Sequence, residues 1–237
     1  MNTPKYKRVL LKLSGEALAP ANGDGILDFD FMAKVAKQIK RCTDAGVQVA
    51  VIVGAGNIWR GRQGTGMERC AADHMGMLAT VINSLGLKDV FVREGLDAVV
   101  MTSVAMNSFA DQYTSRDAIA ALEAGKVAIL GGGSGLPYFS TDTAAVLRAA
   151  EINADCILMA KNIDGIYTAD PKKDPAAVRY DELTYREIID KNLRALDMTS
   201  AIFCEENDIN GYAFGLADPE NIYRAVMGEA VGTAIHN

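Results

Sequence analysis

Lys12 is the residue whose placement points most directly to chemistry. It interrupts the apolar run Val9-Leu10-Leu11-Lys12-Leu13, which ends in Ser14-Gly15 and reads as a buried strand entering a tight turn. An ammonium in such a strand is costly unless it meets an anion or reaches water. Two readings stand for it alone: a lysine snorkelling from an edge strand, or a hook for phosphate. Gly54-Ala55-Gly56 and the stretch from Gly131 to Gly135 follow two further apolar runs in the same way. Glycine admits positive φ and lets backbone amides approach a ligand closely, so three such loops at one edge of a parallel sheet favour an anion-binding crevice.

Other residues near these loops carry paired readings. Arg60 follows the second loop, where its planar fork could grip a phosphate or simply be solvated. Asp73 reads as the residue that opens a helix, either as its cap or as an acceptor for two vicinal ribose hydroxyls. The adjacent His74 reads as structural. Ser140-Thr141-Asp142-Thr143 is a hydroxyl-rich helix start after the third loop; capping explains one of the four, and the others suggest a second anion or substrate contact. Tyr138 and Phe139 could pack on a planar base or in the core. The string Asp164-Gly165-Ile166-Tyr167-Thr168-Ala169-Asp170-Pro171 reads, from its residues alone, as a structured loop. Neither a P-loop nor the full G-x-G-x-x-G fingerprint is present.

The elements that must position these residues alternate strand, loop, helix. Phe29, Met32, Val35, Ile39 and Cys42 recur at helical spacing before a stop at Gly46, and residues 47–53 form a buried strand. A second helix carries Met75, Leu78, Val81, Ile82 and Leu85 and ends at Gly86; short strands are expected at 90–92 and 98–101. A helix at 115–124, a strand at 127–130, a helix at 143–152 and a strand at 156–159 continue the pattern. After Ala160 a polar, turn-rich stretch leads to a short hairpin arm at 180–183, helices at 185–191 and 197–207 and a strand at 212–214. Asp218-Pro219-Glu220 then starts a further helix. This order specifies an α/β fold, a three-layer α/β/α sandwich around a mostly parallel sheet, with ligands beyond the carboxyl ends of the strands. It reads as a single domain over 1–237, with lobes at about 1–150 and about 151–237.

Composition sets limits. Of 237 residues, 49% are hydrophobic and 23% charged, as in an ordinary globular protein, and the net charge of −6 argues against a general nucleic-acid binder. Cys42, Cys70, Cys156 and Cys204 lie far apart without C-x-x-C spacing, and there are two histidines, so reduced thiols in a cytoplasmic protein are expected and no protein metal centre. No long apolar stretch opens the chain, so neither a signal peptide nor a membrane anchor is expected.

Together these strings resemble the amino acid kinase superfamily and, within it, the bacterial uridylate (UMP) kinases, nearly from end to end. The resemblance is carried by Lys12-Leu13-Ser14-Gly15-Glu16-Ala17-Leu18, Gly56-Asn57 with Arg60-Gly61, Asp73-His74-Met75-Gly76-Met77-Leu78-Ala79-Thr80, and the string 164–171. It implies transfer of the γ-phosphoryl of ATP, with Mg²⁺, to UMP. By position it places Lys12, Leu13, Ser14 and Gly15 at the ATP phosphates, and Ala55, Gly56 and Arg60 where donor meets acceptor. Asp73 falls at the UMP ribose, and Ser134, Gly135, Leu136, Pro137, Tyr138, Phe139, Ser140 and Thr141 around the uridine and its phosphate. Lys161, Asn162, Tyr167 and Asp170 fall at the ATP nucleoside, and Asp197 is implied as the aspartate that organises Lys12. The chain departs from relatives at Ala55, Leu136 and Lys161-Asn162. A homohexamer activated by GTP and inhibited by UTP is also implied. The alternatives are a kinase of this fold acting on a small carboxylic acid, or a non-catalytic nucleotide- or oxyanion-binding protein.

Overall fold

The computed structural model describes residues 3–60, 66–193 and 195–237; Gly61 lies outside them. Among the described residues nine strands form one sheet in the order β4-β3-β5-β2-β1-β6-β8-β9-β7, where β1 is Arg8–Leu13, β2 Gln48–Val53, β3 Ala98–Thr102, β4 Asp111–Gln112, β5 Val127–Gly131, β6 Cys156–Lys161, β7 Glu182–Thr184, β8 Gly211–Gly215 and β9 Gly232–His236. Every pairing between strands of this sheet is parallel except β8 with β9. The central strands are near-continuous apolar runs because both of their faces are covered.

Side-chain alternation sorts those runs into two cores. Val9, Leu11 and Leu13 of β1 join one core with α1 (Phe29–Asp44), α2 (Arg69–Arg93) and α7 (Glu220–Val226). Leu10 points to the other, built with α3 (Ser115–Glu123), α4 (Thr141–Glu151), α5 (Tyr185–Asp190) and α6 (Met198–Glu206). A strand has period two, so Lys12 shares the face of Leu10 and is aimed towards α4. β1 is interior to the sheet, with Lys12 registered between Ile52 and Met159. The edge-strand reading of Lys12 is therefore excluded.

Three expectations are corrected. α2 does not stop at Gly86 but runs on to Arg93, absorbing the strand expected at 90–92. Gly86 is there for space: a Cβ on it would lie 2.7 Å from Leu27 Cδ1, and beyond it Val90 and Phe91 bury as a helical face. Asp73 does not open that helix, because Glu68 caps it, accepting from the amides of Cys70 and Ala71. Asp73 thus sits one turn inside. At 182–184 the chain forms no hairpin arm but a strand parallel to β9, although Tyr180 N–H does close back on the Ile166 carbonyl at 2.8 Å.

By length and composition α2 could cross a membrane, the one helix among the described residues that could. It instead carries the buried polar residues Thr80, Asn83 and Ser84, which bond to sheet loops and to its own backbone. It is a core helix.

Candidate active site

Parallel pairing brings the loops after β1, β2, β5 and β6 to one edge of the sheet, and two cavities open there. The first, about 480 Å³, is lined by residues between Lys12 and Asp142; the second, about 320 Å³, by residues between Asp142 and Ala201. Asp142 lines both.

The first cavity takes its floor from glycine loops. Gly15 and Gly56 do not have positive φ; what they supply is closeness. A Cβ on Gly15 would lie 2.7 Å from both Gly56 N and Asn57 Oδ1, and one on Gly56 would lie 2.9 Å from Glu16 Cγ. No larger residue fits where the two loops meet. Arg60 stands beside them, ion-paired with Glu16, both half exposed.

Lys12 meets Asp142, with Nζ 2.9 Å from Oδ1 and side chains 17% and 25% exposed. This corrects the expected partnership with Asp197. Lys12 faces α4, and Asp142 stands in the first turn of that helix. Burial works to raise the pKa of the Asp142 carboxyl, but the ammonium groups of Lys12 and Lys161 outweigh it and hold the group below the usual carboxylate range. Lys161, at the end of β6, is held below the usual lysine range: burial disfavours its charge, Asp142 opposes that, and Lys12 adds to it. Its ammonium also donates to the Ala195 carbonyl. Asp142 is thus ion-paired with Lys12 and acts on Lys161 through its charge alone.

Asp197 has a different occupation. It caps α6, accepting from Ser200 N at 2.8 Å and Ser200 Oγ at 2.6 Å. It also accepts from the hydroxyl of Ser140, the cap of α4, and from Thr143 Oγ1 at 3.2 Å. Ser140 lines the first cavity and Asp197 the second, so this cluster ties two helix N-termini together between the cavities. Aligned amide dipoles at such ends favour negative charge.

On the far wall Asp73 Oδ2 accepts from Arg69 Nε at 2.7 Å and from Tyr138 N at 2.8 Å. Tyr138 adopts φ 72°, a left-handed conformation costly for a side-chain-bearing residue, with the Arg69 guanidinium 5.0 Å from its ring centroid. Leu136, Tyr138 and Phe139 are exposed at the cavity mouth.

Most expected residues converge here. Lys12, Ser14, Gly15, Ala55, Gly56, Arg60, Asp73, Ser134, Leu136, Tyr138, Phe139, Ser140 and Thr141 line the first cavity; Lys161 and Asp197 line the second. Gly135 and Pro137 stay in the same loop without lining it, and the Leu13 side chain is buried in the core. Asn162, Tyr167 and Asp170 line neither. Tyr167 Oη instead donates to Asp164, which Arg179 also holds, and Asp170 closes its own turn by accepting from Lys172 N. Sequence reasoning overlooked Asp142 as the lysine partner, although it lies in the polar string at the start of α4, and also Arg69. It gave no signal for the apolar wall of the second cavity, which includes Ile188, Leu193 and Leu196.

A crevice at the carboxyl edge of a parallel sheet, floored by close-packed glycine loops, with Lys12 ion-paired to Asp142 and Lys161 beyond it, suits a phosphoryl-transfer enzyme. The chain belongs to the amino acid kinase family, which matches residues 7–212. Within that family it is similar to the UMP kinase of Bacillus anthracis, with 36% identity and a TM-score of 0.93 over 98% of this chain and 96% of that one. The UMP kinase of Ureaplasma parvum matches at 33% identity and TM-score 0.93, over 98% and 100%. The uridylate kinase of Archaeoglobus fulgidus matches at 30% and 0.75, over 96% and 99%.

Proposed function

We propose that the chain transfers the γ-phosphoryl group of ATP to UMP, giving ADP and UDP. The observation that carries this reading is the pair of cavities sharing Asp142, with Lys12 on one side and Lys161 on the other. UMP would occupy the first cavity, with its ribose at Asp73, its base under the loop 134–139, and its phosphate towards Arg60 and the start of α4. ATP would occupy the second, its triphosphate reaching Lys12 and the Ser14-Gly15 turn. Residues up to 142 line the first cavity and residues from 142 onward the second, which supports an acceptor lobe at about 1–150 and a donor lobe at about 151–237 within one domain.

Phosphoryl transfer passes through a loose transition state, so the protein mainly aligns the reactants and neutralises spreading charge. Lys12 and Lys161 would supply positive charge where the γ-phosphoryl moves, Lys12 held by Asp142 and Lys161 by the Ala195 carbonyl. Arg60 would leave Glu16 for a phosphate. Mg²⁺ accompanying ATP supplies further neutralisation of the phosphate oxygens. Among the described residues no cluster of three acidic, cysteine or histidine side chains could cage it, so phosphate and water oxygens suit it as ligands.

ADP release coupled to a reporter, measured with UMP, CMP, acetylglutamate and glutamate, tests the assignment. Turnover with an acid but not with UMP would move the chain to the small-acid kinases, and binding without turnover would make it a storage protein. Assembly as a homohexamer, activation by GTP and inhibition by UTP belong to the same reading. The exposed Met75, Leu78 and Ile82, one stripe of α2, support a face that a second copy covers, and light scattering with nucleotide titration checks all three. Free cysteines, three of them buried, support a reducing cytoplasmic setting.

A further inference from the structure

The buried face of α2 carries an amide that the phosphoryl-transfer reading leaves unexplained. Asn83 is fully buried, where an amide must find partners or cost stability. Its Nδ2 donates to the Gly54 carbonyl and to Asn57 Oδ1, each at 2.8 Å, and its Oδ1 accepts from Asn57 Nδ2 at 2.9 Å. Asn57 Nδ2 also donates to the Ile26 carbonyl at 2.7 Å. A carbonyl can only accept, so each of the two carbonyls dictates which way its asparagine turns. With both orientations dictated, the oxygen of each amide must face the nitrogen of the other. The pair is reciprocal.

The Gly54 carbonyl belongs to the peptide whose N–H is that of Ala55. Because a peptide is planar, holding the carbonyl also fixes the direction of that amide, and Ala55 lines the first cavity. The same loop leads to Arg60. No Cβ fits between it and Gly15, so a displacement of the loop would be felt in the Ser14-Gly15 turn.

We propose that Asn83 and Asn57 form an amide clasp that positions the 54–57 backbone for phosphoryl transfer. Neither is a catalytic residue; both act through the loop. This inference rests on the UMP kinase reading only for its kinetic consequence.

The test combines Asn83→Ala, Asn57→Ala and the double variant. With ATP and UMP, kcat is expected to fall at least about tenfold in each single variant while KM for ATP changes less than about threefold, since the loop orders the transition state more than it binds substrate. The double variant is expected to fall no further than the worse single, because both substitutions open the same clasp. Hydrogen exchange of residues 54–57 is expected to accelerate in every variant while β2 stays protected, a readout independent of activity. If the wild-type protein shows no UMP turnover, the functional reading fails and exchange alone decides the clasp. Multiplying kcat losses in the double variant, or unchanged exchange at 54–57, overturns the proposal. Asn57 is only partly buried, so its variant serves if Asn83→Ala does not fold.

Discussion

Asp142→Asn is the perturbation that most directly tests how the site is held. The substitution keeps shape and volume but removes the negative charge 2.9 Å from Lys12. At an effective dielectric near 20 the attraction at that distance is about 6 kcal/mol gross, most of it offset by the desolvation of both groups. Partial exposure of both side chains reduces the net further, so we expect a stability loss of about 2 kcal/mol, a fall in Tm of about 5 °C. Catalysis should suffer more. Without its partner the Lys12 ammonium loses its fixed position, and loss of a preorganised charge contact costs about 10²–10³ in kcat.

The charge balance also predicts a shift in pH dependence. Asp142 holds the Lys161 pKa up against burial and against Lys12, so in Asp142→Asn it must fall further below the ordinary lysine value. The alkaline limb of kcat against pH should therefore move to lower pH. On the acid side, the Asp142 carboxyl titrates below its unfolded value, so its contribution to stability is present above that value and is lost as pH falls through its folded pKa. That acid-sensitive increment should vanish in the variant. Steady-state rates across neutral and alkaline pH, with thermal melts on the acid side, measure both. Turnover within threefold of wild type, together with an alkaline limb that stays put or moves up, would refute the idea that this carboxylate positions Lys12 and sustains the charge of Lys161.

Lys12→Ala should lower kcat by more than about a hundredfold, and because Lys12 depresses Lys161, the residual alkaline limb should move up in pH, opposite to Asp142→Asn; unchanged turnover would remove the central role of this lysine. Gly15→Ala places a Cβ 2.7 Å from Gly56 N and Asn57 Oδ1, and KM for ATP in steady-state assays should rise by about tenfold or more as the loops are forced apart. Tyr138→Gly relieves about 1 kcal/mol of left-handed strain and loses a comparable stacking on Arg69, so Tm should hold nearly constant while calorimetry shows several-fold weaker UMP binding.

Much of this architecture is legible in local pattern. The runs at 9–13, 47–53 and 127–130 are short, predominantly apolar and lead into glycine-bearing loops, the pattern of a buried parallel strand with a ligand loop at its end. Lys12 stands out in such a run whatever surrounds it. The register of α2 shows where local pattern stops being sufficient. Gly86 has the same identity whether it ends a helix or makes room for Leu27, and only the approach of Leu27 and Met32 to α2 distinguishes the two.

The partner of Lys12 is the sharpest instance. Asp142 and Asp197 both stand at helix starts, and either could satisfy an ammonium. The sequence put a lysine within an apolar strand and left it to meet either an anion or water, because the cost of burying charge is a local fact; its interior position in the sheet came from the pairing of β1 with β2 and β6. Which aspartate answers depends on where α4 and α6 lie relative to β1, and that is settled by the packing of the second core. Asp142 faces Lys12, while the oxygens of Asp197 are taken up by Ser140, Thr143 and Ser200.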